Sequence, residues 1–247
     1  LKIFHDDAVQ NFGITFTPPD VNQGQWRFVP VDDKTICYAL GAVKGTGQGA
    51  IESIVQERQV GGPFKSFFDF CVRVDRSKVN KRVVEALIKA GAFDSLEPHR
   101  ASLLASVGLG FEYADTLLAN ADQGGLFDFG DSHAASTNEP EFVFAEPWTL
   151  KERLSLEKTA IGFYLSGHLF DDAEREVRRF AKRIGDAQDS REPQMLAGII
   201  SDLRVINGSR GRVAIFKLDD KSESIEAVAN QDTLDAHKDL LKEDELV

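Results

Sequence analysis

Cysteine is almost absent from these 247 residues: only Cys37 and Cys71 occur, with no CxxC pair and no neighbouring histidine. A zinc site needs about four ligands at characteristic spacings, so the two thiols read instead as reduced, buried core residues. The five histidines (His5, His99, His133, His168, His237) form no HxH or HxxxH pair, so no metal is assigned. Methionine occurs once, as Met195 and not at position 1, which suggests a piece cut from a longer protein. Long apolar runs are missing too, since no stretch approaches the roughly 20 residues a membrane span needs. The opening Leu1-Lys2-Ile3-Phe4-His5-Asp6-Asp7 lacks the apolar core and small-residue cleavage site of a signal peptide. A soluble, cytoplasmic chain with no membrane partner is expected.

Positive charge is also scarce: 29 Lys+Arg against 40 Asp+Glu give −11. The distribution is uneven. Residues 36–100 carry ten basic against seven acidic side chains, whereas residues 1–35 carry three against five and residues 101–247 carry 16 against 28. A single positive segment in an acidic chain is the signal expected of a nucleic-acid contact.

What is present is 42% hydrophobic residues, enough for one large domain or two to three small ones. Through about Lys34 the chain is turn-rich, and alternation from Trp26 to Val31 suggests a short strand. A helix is expected over roughly Gly49–Gln59, stopped by Gly61-Gly62-Pro63, and a short helix or turn at Phe64–Phe70. Val83, Val84, Leu87 and Ile88 fall at helical spacing within Asn80–Ala90, and Arg100–Val107 starts another helix. Residues 120–148, rich in Asn, Asp, Gly, Ser, Pro and Glu, read as a flexible acidic linker. Helix resumes from Leu150 to about Ile184, with an interruption near Gly162 and Gly167. Strands are expected at Leu196–Ile206, Arg212–Leu218 and Ser224–Ala229, followed by a helix from Asp232 to Leu241. Three strands and a helix make the first part of a small β-barrel that lacks its closing strands.

Two stretches carry chemistry. Leu40-Gly41-Ala42-Val43-Lys44-Gly45-Thr46-Gly47-Gln48-Gly49-Ala50-Ile51 has the hxxhxGxGxxxA pattern of a helix-hairpin-helix. Gly45 and Gly47 allow positive φ and bare backbone, Thr46 lies between them, and the unpaired N–H groups opening the next helix suit a phosphate oxygen. Lys44 adds a cation. Such a site sees phosphate and not base, so binding is expected to be sequence-independent, with a shallow salt slope on the order of two to four. The bland alternative is a helix start with a glycine turn, or a small-molecule phosphate loop. A second turn, Ala90-Gly91-Ala92-Phe93, follows a helix region bearing Lys78, Lys81, Arg82 and Lys89, which suits a tandem pair of hairpins or else an ordinary solvated basic face. The other stretch is Gln123-Gly124-Gly125-Leu126-Phe127, inside the acidic linker. Leu126 and Phe127 could fill a greasy pocket on a partner while Gln123 fixes register. Alternatively, the apolar pair staples the linker to the body of the protein.

Several motifs coincide in order along the chain. They include Pro18-Pro19-Asp20-Val21-Asn22, the hairpin above, Gly62-Pro63-Phe64, Phe68-Asp69-Phe70-Cys71 and Leu87-Ile88-Lys89-Ala90-Gly91-Ala92-Phe93-Asp94. Gly162-Phe163-Tyr164-Leu165-Ser166-Gly167-His168 and Arg210–Asp220 complete the set. Together they resemble the alpha subunit of bacterial DNA polymerase III, a C-family replicative polymerase, over nearly the whole chain. That resemblance implies a mainly α multi-domain fragment: the end of the fingers (1–35), a tandem helix-hairpin-helix duplex-binding domain (36–110) and a linker with a clamp-binding motif (111–149). A helical connector (150–190) and an incomplete OB-fold (191–247) would follow.

By the same resemblance the partners are primer-template duplex, the sliding clamp and other holoenzyme subunits. Arg210 and Arg212 could touch a template single strand. Mg²⁺ would serve the parent enzyme's two-metal chemistry in a palm domain outside this chain, so the fragment has no catalytic residue or cofactor and is expected to be inactive in primer extension. Gly124 and Gly125 depart from the family's usual clamp motif and raise the entropic cost of ordering it. Rival readings are a helix-hairpin-helix module of a repair nuclease or ligase, an error-prone polymerase paralogue, and a protein–protein scaffold using the acidic C-terminal half.

Overall fold

The computed structural model describes residues 1–124, 139–208 and 211–247, which form two compact units, Leu1–Ser166 and Gly167–Val247. The first opens with helix α1 (Lys2–Phe12), closed by Gly13 in the left-handed region at φ 63°. Three short strands follow: β1 (Thr15–Thr17), β2 (Val29–Pro30) and β3 (Thr35–Cys37). Their order is β1-β3-β2, with β1 parallel and β2 antiparallel to β3. The strand expected over Trp26–Val31 shrinks to two residues. Pro30, which has no N–H to donate, sits at the sheet edge where that costs least.

Helices then dominate the first unit. A 3₁₀ turn (Leu40–Ala42) leads into α2 (Gln48–Gly61), α3 (Phe67–Arg73) and α4 (Lys81–Lys89). The caps explain the boundaries: the Ser66 hydroxyl accepts from Asp69 N at the start of α3, and the Asn80 side chain accepts from Val83 N at the start of α4. On α4 the apolar stripe Val83, Val84, Leu87, Ile88 is wholly turned inward. Burying each such side chain contributes about 1.5–3 kcal/mol. Phenylalanines fill the centre, with Phe93 edge-on to Phe67 and Phe70 at 5.6 and 4.8 Å between centroids. Cys37 and Cys71 are both buried free thiols, and burial pushes the Cys71 thiol up to about 12.

Two findings correct the expected linker. Residues 111–124 belong to helix α6 (Val107–Gly124), which follows α5 (Arg100–Ala105), and Phe111 and Ala114 of α6 are buried. The acidic composition past Asn120 concealed a helix whose inner face faces α3. On the far side of the undescribed stretch, residues 139–149 are extended yet packed. The Phe142 ring stacks 5.1 Å from Phe68, Val143 N donates to Ser106 Oγ at 2.8 Å, and Ala145 N donates to Ser102 Oγ at 3.2 Å. Helix α7 (Leu150–Ile161) then begins with a capping box between Thr149 and Glu152 and ends at Gly162. The core joins Val21 and Leu40 to Ala160 and Phe163, so residues on both sides of the linker share it.

In the second unit, α8 (Glu174–Val177) precedes an antiparallel sheet of β4 (Ile199–Gly208), β5 (Gly211–Asp219) and β6 (Ser224–Ala229), in that order. Helix α9 (Gln231–Ala236) is shorter than the expected Asp232–Leu241. Register sends Ala214, Phe216 and Leu218 of β5 into the core, with Ile200, Ala229 and Leu234. Asp220, fully buried, anchors the β5–β6 turn: burial opposes its charge, but bonds from Ser222 Oγ, Ile184 N and Arg178 overcome it and hold the carboxyl at about 2. The described residues thus form a mixed α/β structure with helices and two small sheets, where the family resemblance implied a mainly α fragment.

Candidate nucleic-acid interface

The segment from Leu40 to Gly61 folds as a tight turn ahead of a helix start. Gly45 takes φ 88°, a region that penalises any side chain, and Thr46 Oγ1 ties the turn by donating to Val43 O at 2.7 Å. Gly47 is the N-cap of α2, with extended backbone and no side-chain cap bond. A Cβ added at Gly47 or Gly49 would meet nothing within 4 Å. Lys44, Gly45, Gly47, Gln48 and Gly49 are all exposed. The first amides of a 14-residue helix therefore open directly to solvent, at the positive end of the helix dipole.

Helix α4 lies beside this turn, because a Cβ on Gly45 would come 3.9 Å from Ala86 Cβ. Arg82 and Lys89 stand four residues before and three after Ala86, on the same helical face, so both project from the face of α4 that meets the hairpin at Ala86. The other basic residues go elsewhere. Lys81 Nζ points to α6, 3.8 Å from the Cβ position of Gly108, and Lys78 pairs with Asp75 at 3.4 Å. Lys44 leans back against the C-terminal end of α7: its N–H donates to Ala160 O at 2.7 Å, and Nζ is 3.4 Å from the Cβ position of Gly162. A cation there also complements the negative end of the α7 dipole.

The second turn is built around a buried ion cluster that pattern reading missed. Gly91 has φ 84°, and a Cβ on it would overlap the Arg100 guanidinium. Arg100, 5% exposed, is gripped by both Asp94 oxygens at 2.7 and 2.6 Å and lies 3.5 Å from Glu157. Desolvation disfavours its charge, yet Asp94 and Glu157 keep its pKa above the usual arginine value. Glu157, 1% exposed, accepts from Leu165 N at 2.5 Å and Ser166 N at 2.8 Å. Glu157 falls on the apolar stripe of α7 between Leu154 and Ala160, and a carboxylate at such a position was the available signal.

Residues 13–103 match the helix-hairpin-helix motif family. Across the chain, the DNA polymerase III subunit alpha of Neisseria meningitidis serogroup B is 44% identical over 247 residues, 100% of this chain and 21% of that protein. Over its whole length, this chain is similar to a segment of bacterial DNA polymerase III alpha subunits. The corresponding subunits of Vibrio cholerae and Escherichia coli K12 are 38% and 36% identical over 250 and 248 residues, each covering 98% of this chain. The chain spans about a fifth of the length of these alpha-subunit relatives.

Gln123 lies in the last turn of α6, and Leu126 and Phe127 lie outside the described residues, as does Arg210. Arg212 on β5 pairs with Asp235 at 2.8 Å. Among the described residues no group of three or more His, Cys, Asp or Glu could hold a metal ion, and no helix is long and apolar enough to cross a membrane.

Proposed function

We propose that this chain is the part of a bacterial replicative polymerase that grips product duplex and is tethered to the sliding clamp. The observation that carries it is the open, dipole-positive start of α2 at the Gly45–Gly47 turn, flanked by the Arg82 and Lys89 face of α4. Amides and cations so placed hold phosphate oxygens of any sequence. The names borne by the relatives favour a polymerase over a repair nuclease or ligase.

In the tandem assignment the Ala90–Phe93 turn is the second hairpin, over residues 36–110, and serves as a structural element, because Gly91 and Ala92 are buried and Lys78 and Lys81 turn to Asp75 and α6. Gln123, Leu126 and Phe127 dock in an apolar pocket of the clamp, within the 111–149 segment. Tethering turns rebinding into a local event, which makes modest contacts sufficient for long synthesis runs. Residues 1–35 belong to the fingers and 150–190 to the connector. Residues 191–247 begin an OB-fold, which the three antiparallel strands suit, and Arg210 and Arg212 contact a template strand. Polymerisation itself, with Mg²⁺ as its metal, belongs to the whole cytoplasmic enzyme and its holoenzyme partners.

The test is duplex affinity as a function of salt. Replacing Arg82 and Lys89 by Gln should flatten the slope by about 0.9 per lost phosphate contact. An unchanged slope would remove α4 from the interface. For the clamp, changing Gln123, Leu126 and Phe127 together to Ala should abolish binding to the bacterial sliding clamp; retained binding would rule the motif out.

A further inference from the structure

The second unit is strongly acidic, with 18 Asp+Glu against 13 Lys+Arg over residues 167–247, a balance of −5. Within it, residues 175–183 (Arg-Glu-Val-Arg-Arg-Phe-Ala-Lys-Arg) contribute +4 in nine positions. The structure separates this cluster into two kinds of residue. Val177 and Ala181 are buried, and Arg178 turns inward to Asp220, 2.8 Å away, with its guanidinium over the Phe170 ring. Arg175, Arg179, Lys182 and Arg183 are exposed, and none forms an ion pair with a described residue.

Backbone bonds run on from α8 through Arg178 N to Glu174 O, Arg179 N to Glu176 O, and Ala181 N to Val177 O. That path is near-helical as far as Phe180 and puts Arg175 and Arg179, four residues apart, along one side; Lys182 and Arg183 follow where the chain turns extended, with Lys182 N donating to Met195 O. Phe180 stands among them with 63% of its surface exposed. A bare aromatic ring is costly in water and has no aromatic neighbour among the described residues. The nearby acids do not cancel the patch: Glu174 is engaged by Lys221, which leaves exposed Glu176 as the one acid inside the cluster.

Unpaired cations around an exposed ring are what an unpaired nucleic-acid strand needs, with phosphates for the cations and a base face for the ring. A duplex offers no base face to stack on, and an acidic peptide needs no ring. We propose that Arg175, Arg179, Phe180, Lys182 and Arg183 form a binding surface for single-stranded nucleic acid, ahead of β4 in the chain and made of none of the residues assigned to the hairpin or to the strands.

The probe is fluorescein-labelled dT20, titrated with this chain at several salt concentrations. Changing Arg175, Arg179, Lys182 and Arg183 together to Gln should reduce the log–log salt slope by about three, at about 0.7 per cation on a single strand. Phe180→Ala should weaken dT20 binding about fivefold or more while leaving that slope unchanged. Both variants should bind a 20-bp duplex as the parent chain does, which keeps this test distinct from the hairpin test. Equal dT20 binding by parent and variants would overturn the proposal. Polyglutamate displacing dT20 as well as unlabelled dT20 does would also overturn it, by showing a generic anion surface. Circular dichroism of the variants, all altered at exposed positions, confirms that the comparison is made on folded protein.

Discussion

Glu157 offers the sharpest test of how the first unit is held together. Its carboxylate is 1% exposed and performs two separable tasks: it accepts from the amides of Leu165 and Ser166, and it faces Arg100 at 3.5 Å. Arg100 retains both Asp94 bonds if Glu157 is lost, so its charge stays partly compensated. Glu157→Ala therefore strands two amides, at about 1–3 kcal/mol each, and opens a cavity, for a loss of about 3–5 kcal/mol in all. Glu157→Gln keeps an oxygen for the amides but sets an NH2 donor against the Arg100 guanidinium at the longer contact, a loss of about 1–2 kcal/mol. Urea unfolding followed by tyrosine and tryptophan fluorescence reads both variants, since both tryptophans and all three tyrosines lie in the first unit. Losses of equal size in the two variants would refute this division of labour, and losses near zero in both would refute the burial on which it rests.

Further outcomes are expected of the same fold. Gly91→Ala should destabilise more than Gly45→Ala, because both have positive φ but only Gly91 also collides with Arg100; thermal melts of the pair read the difference. The second unit should lose stability as pH falls from about 4 toward 2, because Asp220 has its folded pKa depressed to about 2 from 3.8. Its stabilisation is complete above the unfolded value and disappears on protonation in the folded state. Asp220→Asn should remove that acid sensitivity, as seen by circular dichroism across the same range. Phe142→Ala should release the strap at 139–149 and admit protease there, at a cost of about 2 kcal/mol.

The hairpin was legible because its requirements are local: two glycines at fixed spacing, a lysine, and a helix whose apolar residues follow the turn. Helix α4 was legible from Val83, Val84, Leu87 and Ile88 for the same reason. The partnership of Gly45 with Ala86 was not, since it joins residues 41 positions apart and no periodicity records it. Nor was the destination of Arg100, which counts toward the basic segment although the fold buries it against Asp94 and Glu157. The linker was overdrawn because composition ranks Glu, Asn and Pro as loop-formers, while Phe142 and two serine hydroxyls provide anchors that only tertiary structure reveals. The basic patch around Phe180 went unnoticed since net charge was averaged over an acidic half, and exposure of the ring cannot be inferred from a helical pattern.

The most direct measurement is the affinity of this chain, with and without Gly47→Val, for two 20-bp duplexes of unrelated sequence. Gly47 has extended backbone and open space around its Cβ position, so valine is accommodated by the fold but stands over the amides that open α2. If those amides hold phosphate, the parent binds both duplexes alike and the variant weakens both by the same factor, about tenfold. Undiminished binding by a folded Gly47→Val variant would contradict the assignment of the hairpin as the duplex grip.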